Sequence, residues 1–407
     1  MKNTRSRPPI SPYLILAGCC LLQFGGMGVQ SNSMGIFYPY VCKELGFSTA
    51  QLSLHTTIRG LVTTLFLPLS GWLFSRVSPK TLLTAAGVML CGSTFSMAFF
   101  HHLYQWYIAS AFAGVAGAFL FLTATPILLT HWFPQRSGMA IGIAMAFTGL
   151  GGAVMSPLGT WWSEQWGWRC AYLLFAGVGA VTILPCTLLV LRMPPQDAAV
   201  VSRSEAQPTV QGGNLLRQPI LWMFLAAVLM IAYPSSYVFH FSTYAVSVGL
   251  SSFVGATMAS MSMVSNVGGK VAIGWLSRKC SAKWVSIWGA ALMVVGFALF
   301  LLFPNQEFLL YIASALYGIC LAMVPVAVPL MVQDLFPAHQ YSMALSIASM
   351  VSSATGGMGI AFAGLVYDAT GSYRLCFQAA LITTLALIAL VYLIYRKAQV
   401  KPQVHHP

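Results

Sequence analysis

The sequence GWLFSRVSPK occupies residues 71–80, and a closely similar sequence, GWLSRKCSAK, occupies residues 274–283. The two copies are separated by half of the 407-residue chain. Shorter matches recur at the same separation: YIASA begins at Tyr107 and Tyr311, Phe-Pro at Phe133 and Phe336, and Met-Ala at Met139 and Met343. Several matches in one register indicate an internal repeat, so the chain is predicted to have two halves of similar structure.

The composition places both halves in a membrane. Hydrophobic residues make up 58% of the chain and charged residues only 7%, against about 25% charged residues in soluble domains. This balance excludes a water-soluble globular protein, and an aromatic content of 13% excludes a disordered chain. The apolar stretches have the length, about 20 residues, that a helix needs to cross the hydrocarbon core. They lack the two-residue alternation of barrel strands.

Twelve such stretches are predicted, six in each half. In the first half they cover residues 12–39, 48–73, 80–100, 103–131, 137–161 and 169–191. In the second half they cover residues 218–248, 252–276, 282–303, 307–333, 340–365 and 373–395. The predicted fold is therefore an all-α membrane protein with twelve transmembrane helices in two pseudo-symmetric six-helix halves. Its divisions are residues 1–192, a Ser-, Gln- and Pro-rich cytoplasmic linker at 193–217, and residues 218–407.

Basic residues predict the orientation in the membrane. Most of them fall in the loops of one end: Lys2, Arg5, Arg7, Arg76, Lys80, Arg136, Arg192, Arg203, Arg217, Arg278, Lys279, Lys283, Arg396, Lys397 and Lys401. Only Lys43, Arg169 and Arg374 fall at the other end. Because cytoplasmic loops carry the excess of Lys and Arg, both termini are predicted to be cytoplasmic, in a multi-pass protein of the cytoplasmic (inner) membrane. The net charge of +13 reflects this orientation and implies no nucleic-acid partner.

The repeated loops resemble the signature loop of a known family, Gly-x-Leu-x-Asp-Arg-x-Gly-x-basic. The matching residues are Gly71, Leu73, Arg76 and Lys80 in one copy, and Gly274, Leu276, Lys279 and Lys283 in the other. The chain thus resembles the major facilitator superfamily over essentially its whole length, which implies a transporter with gating loops at these residues. Ser75 and Arg278 replace the signature aspartate, and Ser78 and Ser281 replace its glycine. In the family that aspartate helps to latch the inward gate, so its loss concerns the latch and not the fold.

Three further motifs are similar to one branch of that superfamily, the monocarboxylate porters and oxalate/formate antiporters. They are SNVGGKVAIGWLS at residues 265–277, HWFPQRSGMAIGIA at 131–144 and the Gly-Trp-Arg turn at 167–169. At the position of Lys270 the branch carries an arginine that holds the substrate carboxylate. The oxalate carriers have a second basic residue on helix 11, and no Lys or Arg occurs here between His339 and Arg374. The resemblance therefore implies a singly charged anion, a monocarboxylate, rather than oxalate.

Two basic residues, Arg59 and Lys270, fall inside predicted spans. All seven carboxylates fall outside the spans or at their ends: Glu44, Glu164, Glu307 and Asp368 at one end, and Asp197, Glu205 and Asp334 at the other. An ionised side chain in mid-membrane costs several kcal/mol, so it should face the bundle interior and have a partner. Because no protein acid is predicted nearby, an anionic substrate is the simplest partner for both cations.

Polar residues at intervals of four surround both cations. Arg59 shares one face of helix 2 with Gln51, His55 and Thr63, and Lys270 follows Ser262 and Asn266 on helix 8. The guanidinium of Arg59 could bind a carboxylate through two parallel hydrogen bonds. The alternative for Arg59 is a structural arginine bonded to backbone carbonyls of neighbouring helices. The alternative for Lys270 is a side chain that extends to the membrane interface.

Helices 1 and 7, which are repeat partners, are also rich in polar side chains. The further candidates for the substrate site are Asn32 and Tyr38 on helix 1 and Tyr237 and His240 on helix 7. Cavity lining and hydrogen bonding between helices predict the same residue types. His55 and His240 could carry a proton at physiological pH, or could be structural histidines. Without a proton carrier, exchange of one anion for another is favoured.

These residues predict a secondary transporter of a small organic anion that works by alternating access, as a proton symporter or an anion exchanger. The expected partners are the substrate, the lipid bilayer and, for symport, protons; the expected state is a monomer. An exporter of drugs or other lipophilic compounds, and a sensor without transport activity on the same scaffold, are the alternatives. No enzyme is expected, because the spans hold no nucleophile or acid cluster. Nine cysteines without paired spacing predict no disulfide, metal site or cofactor.

Overall fold

The computed structural model describes residues 11–74, 76–133, 136–191, 215–277 and 279–398. Twelve long helices account for most of these residues, and the described ranges contain no strand. The first six are α1 (Pro12–Leu45), α2 (Thr49–Phe74), α3 (Pro79–Met97), α4 (Leu103–Trp132), α5 (137–166) and α6 (168–190). The others are α7 (Pro219–Ser247), α8 (Ser252–Leu276), α9 (Ala282–Leu302), α10 (Glu307–Leu335), α11 (Ala338–Thr370) and α12 (Arg374–Lys397). The predicted all-α fold with twelve transmembrane helices is confirmed.

Most of these helices are apolar enough to span a membrane by themselves. Among the described residues, eight helical stretches meet that standard by length and composition, with α5 and α6 joined in one of them. The exceptions are α2, α3 and α8, and two of these carry the predicted intramembrane cations. A helix with a charged residue and a polar stripe needs neighbouring helices to cover that stripe.

Glycines end several helices. Gly46 (φ 70°) follows α1, Gly371 (φ 68°) follows α11, and Gly167 (φ 82°) separates α5 from α6. Glycine adopts this left-handed backbone without the steric penalty of a Cβ atom. Because α1 and α11 continue until they reach these glycines, they end at Leu45 and Thr370 and are longer than the predicted limits of residues 39 and 365. Pro39 does not end α1, because it lies in the first turn of the helical segment Tyr38–Leu45, where a missing N–H removes no hydrogen bond.

Three helices change their winding near the middle of the bundle. In α1 a π-helical stretch, Gln23–Asn32, is followed by a 3₁₀ turn, Met34–Phe37. In α4 the stretch Ala118–Ala124 is π-helical, and in α7 the stretch Pro234–His240 is 3₁₀-helical. Such changes rotate the side chains that follow and occur often at functional sites.

Each set of six helices has its own apolar core. Leu22, Leu90, Leu128 and Ile183 are fully buried together in α1–α6. In α7–α12 the core is rich in aromatic rings: Phe224, Phe297, Phe300, Tyr317 and Phe377. The rings of Phe300 and Phe377 are stacked with their centroids 4.8 Å apart. The two sets of helices meet where α1 contacts α7, α2 contacts α11 and α5 contacts α8.

A carboxylate joins the two sets of helices at one end of this interface. Asp368 of α11 accepts hydrogen bonds from the backbone N–H groups of Thr49 (3.0 Å) and Ala50 (2.8 Å) at the start of α2. The first N–H groups of a helix lack partners within the helix and favour an anion. We call this the acidic end, since Glu44, Glu164, Glu307 and Asp368 lie there; the opposite, basic end carries Arg76, Lys80, Lys279 and Lys283.

Close backbone approach between α2 and α11 supplies the first testable prediction. A Cβ atom added at Gly364 would lie 2.7 Å from Ala50 Cα, whereas one added at Gly356, on the same helix, would meet no atom within 4 Å. We expect Gly364→Ala to destabilise the protein by about 1–3 kcal/mol, because α2 must move. Gly356→Ala should leave stability equal or slightly higher, because alanine favours helix. Thermal unfolding in detergent measures both, and equal melting temperatures would contradict this packing.

Candidate substrate site

Arg59 lies in the interior of the bundle on α2. Its Nη1 donates a hydrogen bond to the carbonyl oxygen of Gln30, within the π-helical stretch of α1. Arg59 also lines a cavity of about 220 Å³ enclosed by α1, α2, α4, α7 and α11, which we call the Arg59 cavity. A guanidinium carries five N–H donors, so the bond to Gln30 leaves others for a ligand. The residue is thus anchored to a neighbouring backbone and also reaches an open space.

The rest of the Arg59 cavity is partly polar. Its other polar lining residues are Ser31, Thr56, Thr63, Thr64 and Ser353. The Thr63 hydroxyl donates to the carbonyl oxygens of Arg59 (2.9 Å) and Gly114 (2.8 Å). The Thr56 hydroxyl is 2.7 Å from the hydroxyl of Tyr38. A hydroxyl has one hydrogen to donate, so the Thr63 hydroxyl is already engaged, whereas the hydroxyls of Ser31 and Ser353 have no side-chain hydrogen bond among the described residues and can donate to a small carboxylate.

Lys270 lines a second and larger cavity, of about 560 Å³, which we call the Lys270 cavity. It is enclosed by α1, α4, α5, α8 and α10, and its wall includes Met145, Val267 and Pro325. Lys270 is half-buried and is the one charged residue among the described residues that line it. Lys270 therefore borders an open space between five helices.

The two cavities adjoin each other. Met27 of α1 and Phe121 of α4 line both of them, so these residues form the wall between the two spaces. Lys270 lies six residues before the end of α8 at Leu276, roughly 9 Å along the helix, whereas Arg59 lies fifteen residues before the end of α2 at Phe74, roughly 22 Å along the helix. The predicted pair of cations therefore occupies neighbouring cavities at different depths rather than one pocket.

No carboxylate neutralises either cation within the part of the chain that the structure describes. The ion pair found there joins Arg169 Nη2 to Glu44 Oε1 at 3.0 Å, at the acidic end. Glu44 also accepts a hydrogen bond of 2.6 Å from Trp168 Nε1. Neither Arg59 nor Lys270 has a described carboxylate within 4.0 Å. The two charges are therefore unpaired among these residues.

The predicted site residue His55 does not line the Arg59 cavity but a separate small space beside Arg59. Its Nδ1 is 2.8 Å from the hydroxyl of Ser110, and the ring is buried. Together with Thr56 and Arg59 it surrounds a small space of about 10 Å³. Tyr38 packs edge-on against His55, with ring centroids 6.0 Å apart, and is buried as well. Both residues lie within hydrogen-bond distance of the Thr56 hydroxyl, and Thr56 lines the Arg59 cavity.

The predicted residues of α7 lie outside both cavities. His240 is buried, with Nε2 donating to the carbonyl oxygen of Ile360 (2.8 Å) and Nδ1 3.1 Å from the hydroxyl of Tyr373. A nitrogen that meets a carbonyl oxygen must donate, so a neutral ring can accept from Tyr373 and satisfy both nitrogens. The hydroxyl of Tyr237 donates to the carbonyl oxygen of Cys376 (3.1 Å) inside the second core. Both side chains join helices of the second half.

The two predicted asparagines also lie outside the walls of the two cavities. Asn32 Nδ2 donates to the carbonyl oxygen of Thr148 (3.2 Å) and so connects α1 to α5. Asn266 is buried, and its Oδ1 has no hydrogen-bond partner among the described residues. Near Asn266 the helices α8 and α10 are very close, since a Cβ atom at Gly318 would lie 2.3 Å from the carbonyl oxygen of Ser262.

The predicted gating loops differ in what they contact. Gly71 and Gly274 lie near the ends of α2 and α8, while Arg76 and Lys80 are exposed. Lys279 Nζ lies 4.3 Å from the ring centre of Trp275, and Lys283 Nζ lies 4.4 Å from that of Tyr392. Ser78, which replaces the signature glycine, accepts a hydrogen bond from Thr81 N and begins α3. Ser75 and Arg278 lie outside the described residues.

Most residues of the cavity walls were not among the candidates, and three of them bear on the boundary between the two cavities. They are Met27, Phe121 and Gln23, which lines the Lys270 cavity and donates from Nε2 to Phe121 O (3.0 Å) and Thr125 Oγ1 (2.8 Å). Apolar residues that line a cavity resemble core residues in a sequence, so Met27 and Phe121 had no signal that could single them out. Gln23 was visible as a polar residue in a span.

His240 provides a test of its structural role. His240→Phe keeps an aromatic ring but leaves Ile360 O and the Tyr373 hydroxyl without partners, so we expect a loss of about 1–3 kcal/mol of stability. His101→Phe, at an exposed histidine of the α3–α4 loop, is the control and should have no such effect. Thermal unfolding measures both. An unchanged melting temperature together with a lost pH dependence of uptake would instead indicate a proton carrier.

Comparisons with known proteins agree with this architecture. The model of the Major Facilitator Superfamily matches residues 19–279 and 254–406. The chain is 24% identical over 354 residues to monocarboxylate transporter 13 of Rattus norvegicus, covering 86% of this chain and 81% of that protein. It is 26% identical over 188 residues to riboflavin transporter RibJ of Trypanosoma cruzi, covering 45% and 40%. The crystal structure of a mutant of nucleoside transporter NupG has the same fold, with a TM-score of 0.78 at 16% identity, covering 95% of this chain and all of that one.

Proposed function

Because this chain belongs to the Major Facilitator Superfamily, we propose that it transports a small organic anion, a monocarboxylate, by alternating access. It is a membrane transporter and not an enzyme. Its relatives and structural neighbours are transporters as well. One observation carries the choice of an anion: Arg59 and Lys270 line adjoining cavities, and neither has a described carboxylate within 4.0 Å.

Electrostatics in a low-dielectric bundle supports this substrate. An ionised group that is removed from water costs several kcal/mol unless an opposite charge or good hydrogen bonds compensate it. The hydrogen-bond partner of the Arg59 guanidinium is the backbone carbonyl of Gln30. This carbonyl is a neutral dipole, so the positive charge of Arg59 is not cancelled. A carboxylate in the Arg59 cavity would supply the missing negative charge and accept two hydrogen bonds from one guanidinium edge. A cationic substrate would add a further unpaired positive charge.

A single negative charge fits better than two. One guanidinium lines the Arg59 cavity, and the second cation belongs to the neighbouring space. A dicarboxylate would need both cations at once, across the wall that Met27 and Phe121 form. The similarity to monocarboxylate transporter 13 over most of both chains supports the same choice.

Alternating access would use the two halves as rigid units. In this proposal residues 1–192 and 218–407 rock about the cavities, and residues 193–217 connect them. Contacts such as Asp368 with the start of α2 would form and break as the bundle changes its open end. A loaded carrier contains a neutralised cavity and so reorients more readily than an empty one. Exchange of anions needs no proton site, and the hydrogen bonds of His55 and His240 favour it over symport.

The decisive test removes each cation in purified protein reconstituted into liposomes. We expect Arg59→Gln to reduce uptake of labelled lactate or acetate by about 30-fold or more, the effect of losing about 2 kcal/mol from a buried charge pair. Lys270→Gln should also reduce uptake. Arg59→Lys should be intermediate, because it keeps the charge and loses the bidentate geometry. Arg374→Gln and Lys43→Gln, at the acidic end, are matched controls that should retain transport.

The substrate panel separates this proposal from its competitors. It contains formate, acetate, lactate, pyruvate, oxalate, riboflavin and a lipophilic cation, each with and without a preloaded anion inside the vesicles. Preloaded anion should accelerate monocarboxylate uptake more than an imposed pH gradient does. Undiminished anion transport by both Gln variants, or uptake of only riboflavin or the cation, would refute the proposal.

The orientation is also proposed: the basic end faces the cytoplasm, with both termini. Cys280 is exposed in the α8–α9 loop at the basic end, so a variant with this single cysteine reports the side on which the loop lies. We expect a membrane-impermeant maleimide to label it only after permeabilisation of cells. Asn305→Cys, exposed in the α9–α10 loop at the acidic end, should be labelled in intact cells. The reverse pattern would invert the orientation.

A further inference from the structure

We propose that Phe121, together with Met27, limits the size of the anion that can pass between the Lys270 cavity and the Arg59 cavity. This inference rests on the proposed function and adds a specificity-determining position to it. The observation behind it is that the same two residues line both cavities. A substrate that reaches Arg59 from the side of Lys270 must pass them.

The two spaces differ in size and chemistry on either side of this partition. The Lys270 cavity is the larger, at about 560 Å³, and its wall is mostly apolar. The Arg59 cavity is smaller, at about 220 Å³, and contains several hydroxyls. The first space can therefore admit anions that the second cannot hold. Selection by size then takes place at the wall between them.

Phe121 is fixed in position by its neighbours. Its side chain is buried, and it lies in the π-helical stretch of α4. The ring lies against Gly26 of α1, where an added Cβ atom would be only 2.0 Å from Phe121 Cε1. It also lies beside Gly117, where an added Cβ atom would be 3.5 Å from Phe121 Cδ2. Gln23 Nε2 holds the backbone at Phe121 O.

A ring held in this way is a rigid barrier. Movement of the ring requires the space next to Gly26 or a change in the winding of α4, and both involve neighbouring backbone. Met27, which is half-buried, has three rotatable bonds and adapts its shape more easily. Phe121 should therefore set the upper limit on substrate width, with Met27 accommodating smaller differences.

The main experiment compares phenylacetate with acetate in liposomes. Both are monocarboxylates, so the ratio of their uptake rates isolates the bulk of the substrate. We expect Phe121→Ala to raise this ratio by about tenfold or more, the usual scale of discrimination by pocket size; the ratio is the readout, whatever the change in the acetate rate alone. Phe121→Leu should give a smaller increase. Phe119→Ala is the matched control, since Phe119 is a buried residue of the same helical stretch that lines neither cavity.

A second variant tests the contact that holds the ring. Gly26→Ala would push the ring of Phe121 from its place and should lower acetate uptake on its own. In the Phe121→Ala background the added methyl group has room, so acetate uptake should recover. Recovery of this kind is a coupling between the two positions that a general loss of stability does not produce.

The results distinguish this inference from the function on which it rests. If wild-type protein takes up acetate and the phenylacetate ratio stays unchanged in Phe121→Ala and Phe121→Leu, the size limit lies elsewhere and the inference is wrong. A ratio that rises equally in Phe119→Ala would also overturn it. If wild-type protein takes up no monocarboxylate at all, the proposed function itself fails. If Phe121→Ala does not fold, two other measurements decide the question. They are the ratio of phenylacetate to acetate uptake in Phe121→Leu, and the recovery of acetate uptake when Phe121→Leu is added to Gly26→Ala.

Discussion

An arginine inside an apolar bundle needs a polar partner, because an ionised side chain in hydrocarbon costs several kcal/mol. Arg59 obtains its partner from a neighbouring helix: Nη1 bonds to the carbonyl oxygen of Gln30 in the π-helical stretch of α1. The irregular winding of α1 and the charge on α2 are thus parts of one arrangement. Because the partner is a neutral dipole, the positive charge remains uncancelled and can attract an anion. The Arg59 cavity is the place where that anion has room.

The acidic residues perform a different task at the membrane surface. Asp368 bonds to the first N–H groups of α2, and Glu44 pairs with Arg169 and accepts a hydrogen bond from Trp168. Both carboxylates therefore connect helices at the acidic end, where water lowers the cost of their charge. Keeping them away from the interior leaves Arg59 and Lys270 with their charges. The same spatial separation of acids and bases supports both helix packing and the proposed selectivity for anions.

Sequence patterns could locate the cations but not separate cavity residues from residues that join helices. Tyr237, His240 and Asn32 were candidates because they are polar within spans, and each bonds to another helix instead of lining the Arg59 or the Lys270 cavity. Hydrogen bonding between helices and ligand binding use the same side chains. Phe121 is the opposite case: it lines two cavities, yet in the sequence it cannot be told from an apolar residue of the core. Its position becomes evident in the tertiary structure, where its ring lies against Gly26 and Gly117.

The sequence by itself determined the class of protein, the twelve helices and the presence of two cations within predicted spans. These follow from hydrophobic length, repeat spacing and the absence of acids within spans, all of which can be read from the order of the residues without knowing how the helices pack. The tertiary structure decided where those cations lie relative to each other and to open space. Arg59 and Lys270 are far apart in sequence and on different helices, so their depth and the wall between them depend on how α1, α4 and their neighbours pack. The π-helical stretches of α1 and α4 belong to that packing, since they rotate the side chains that follow and contain Met27 and Phe121 of the wall.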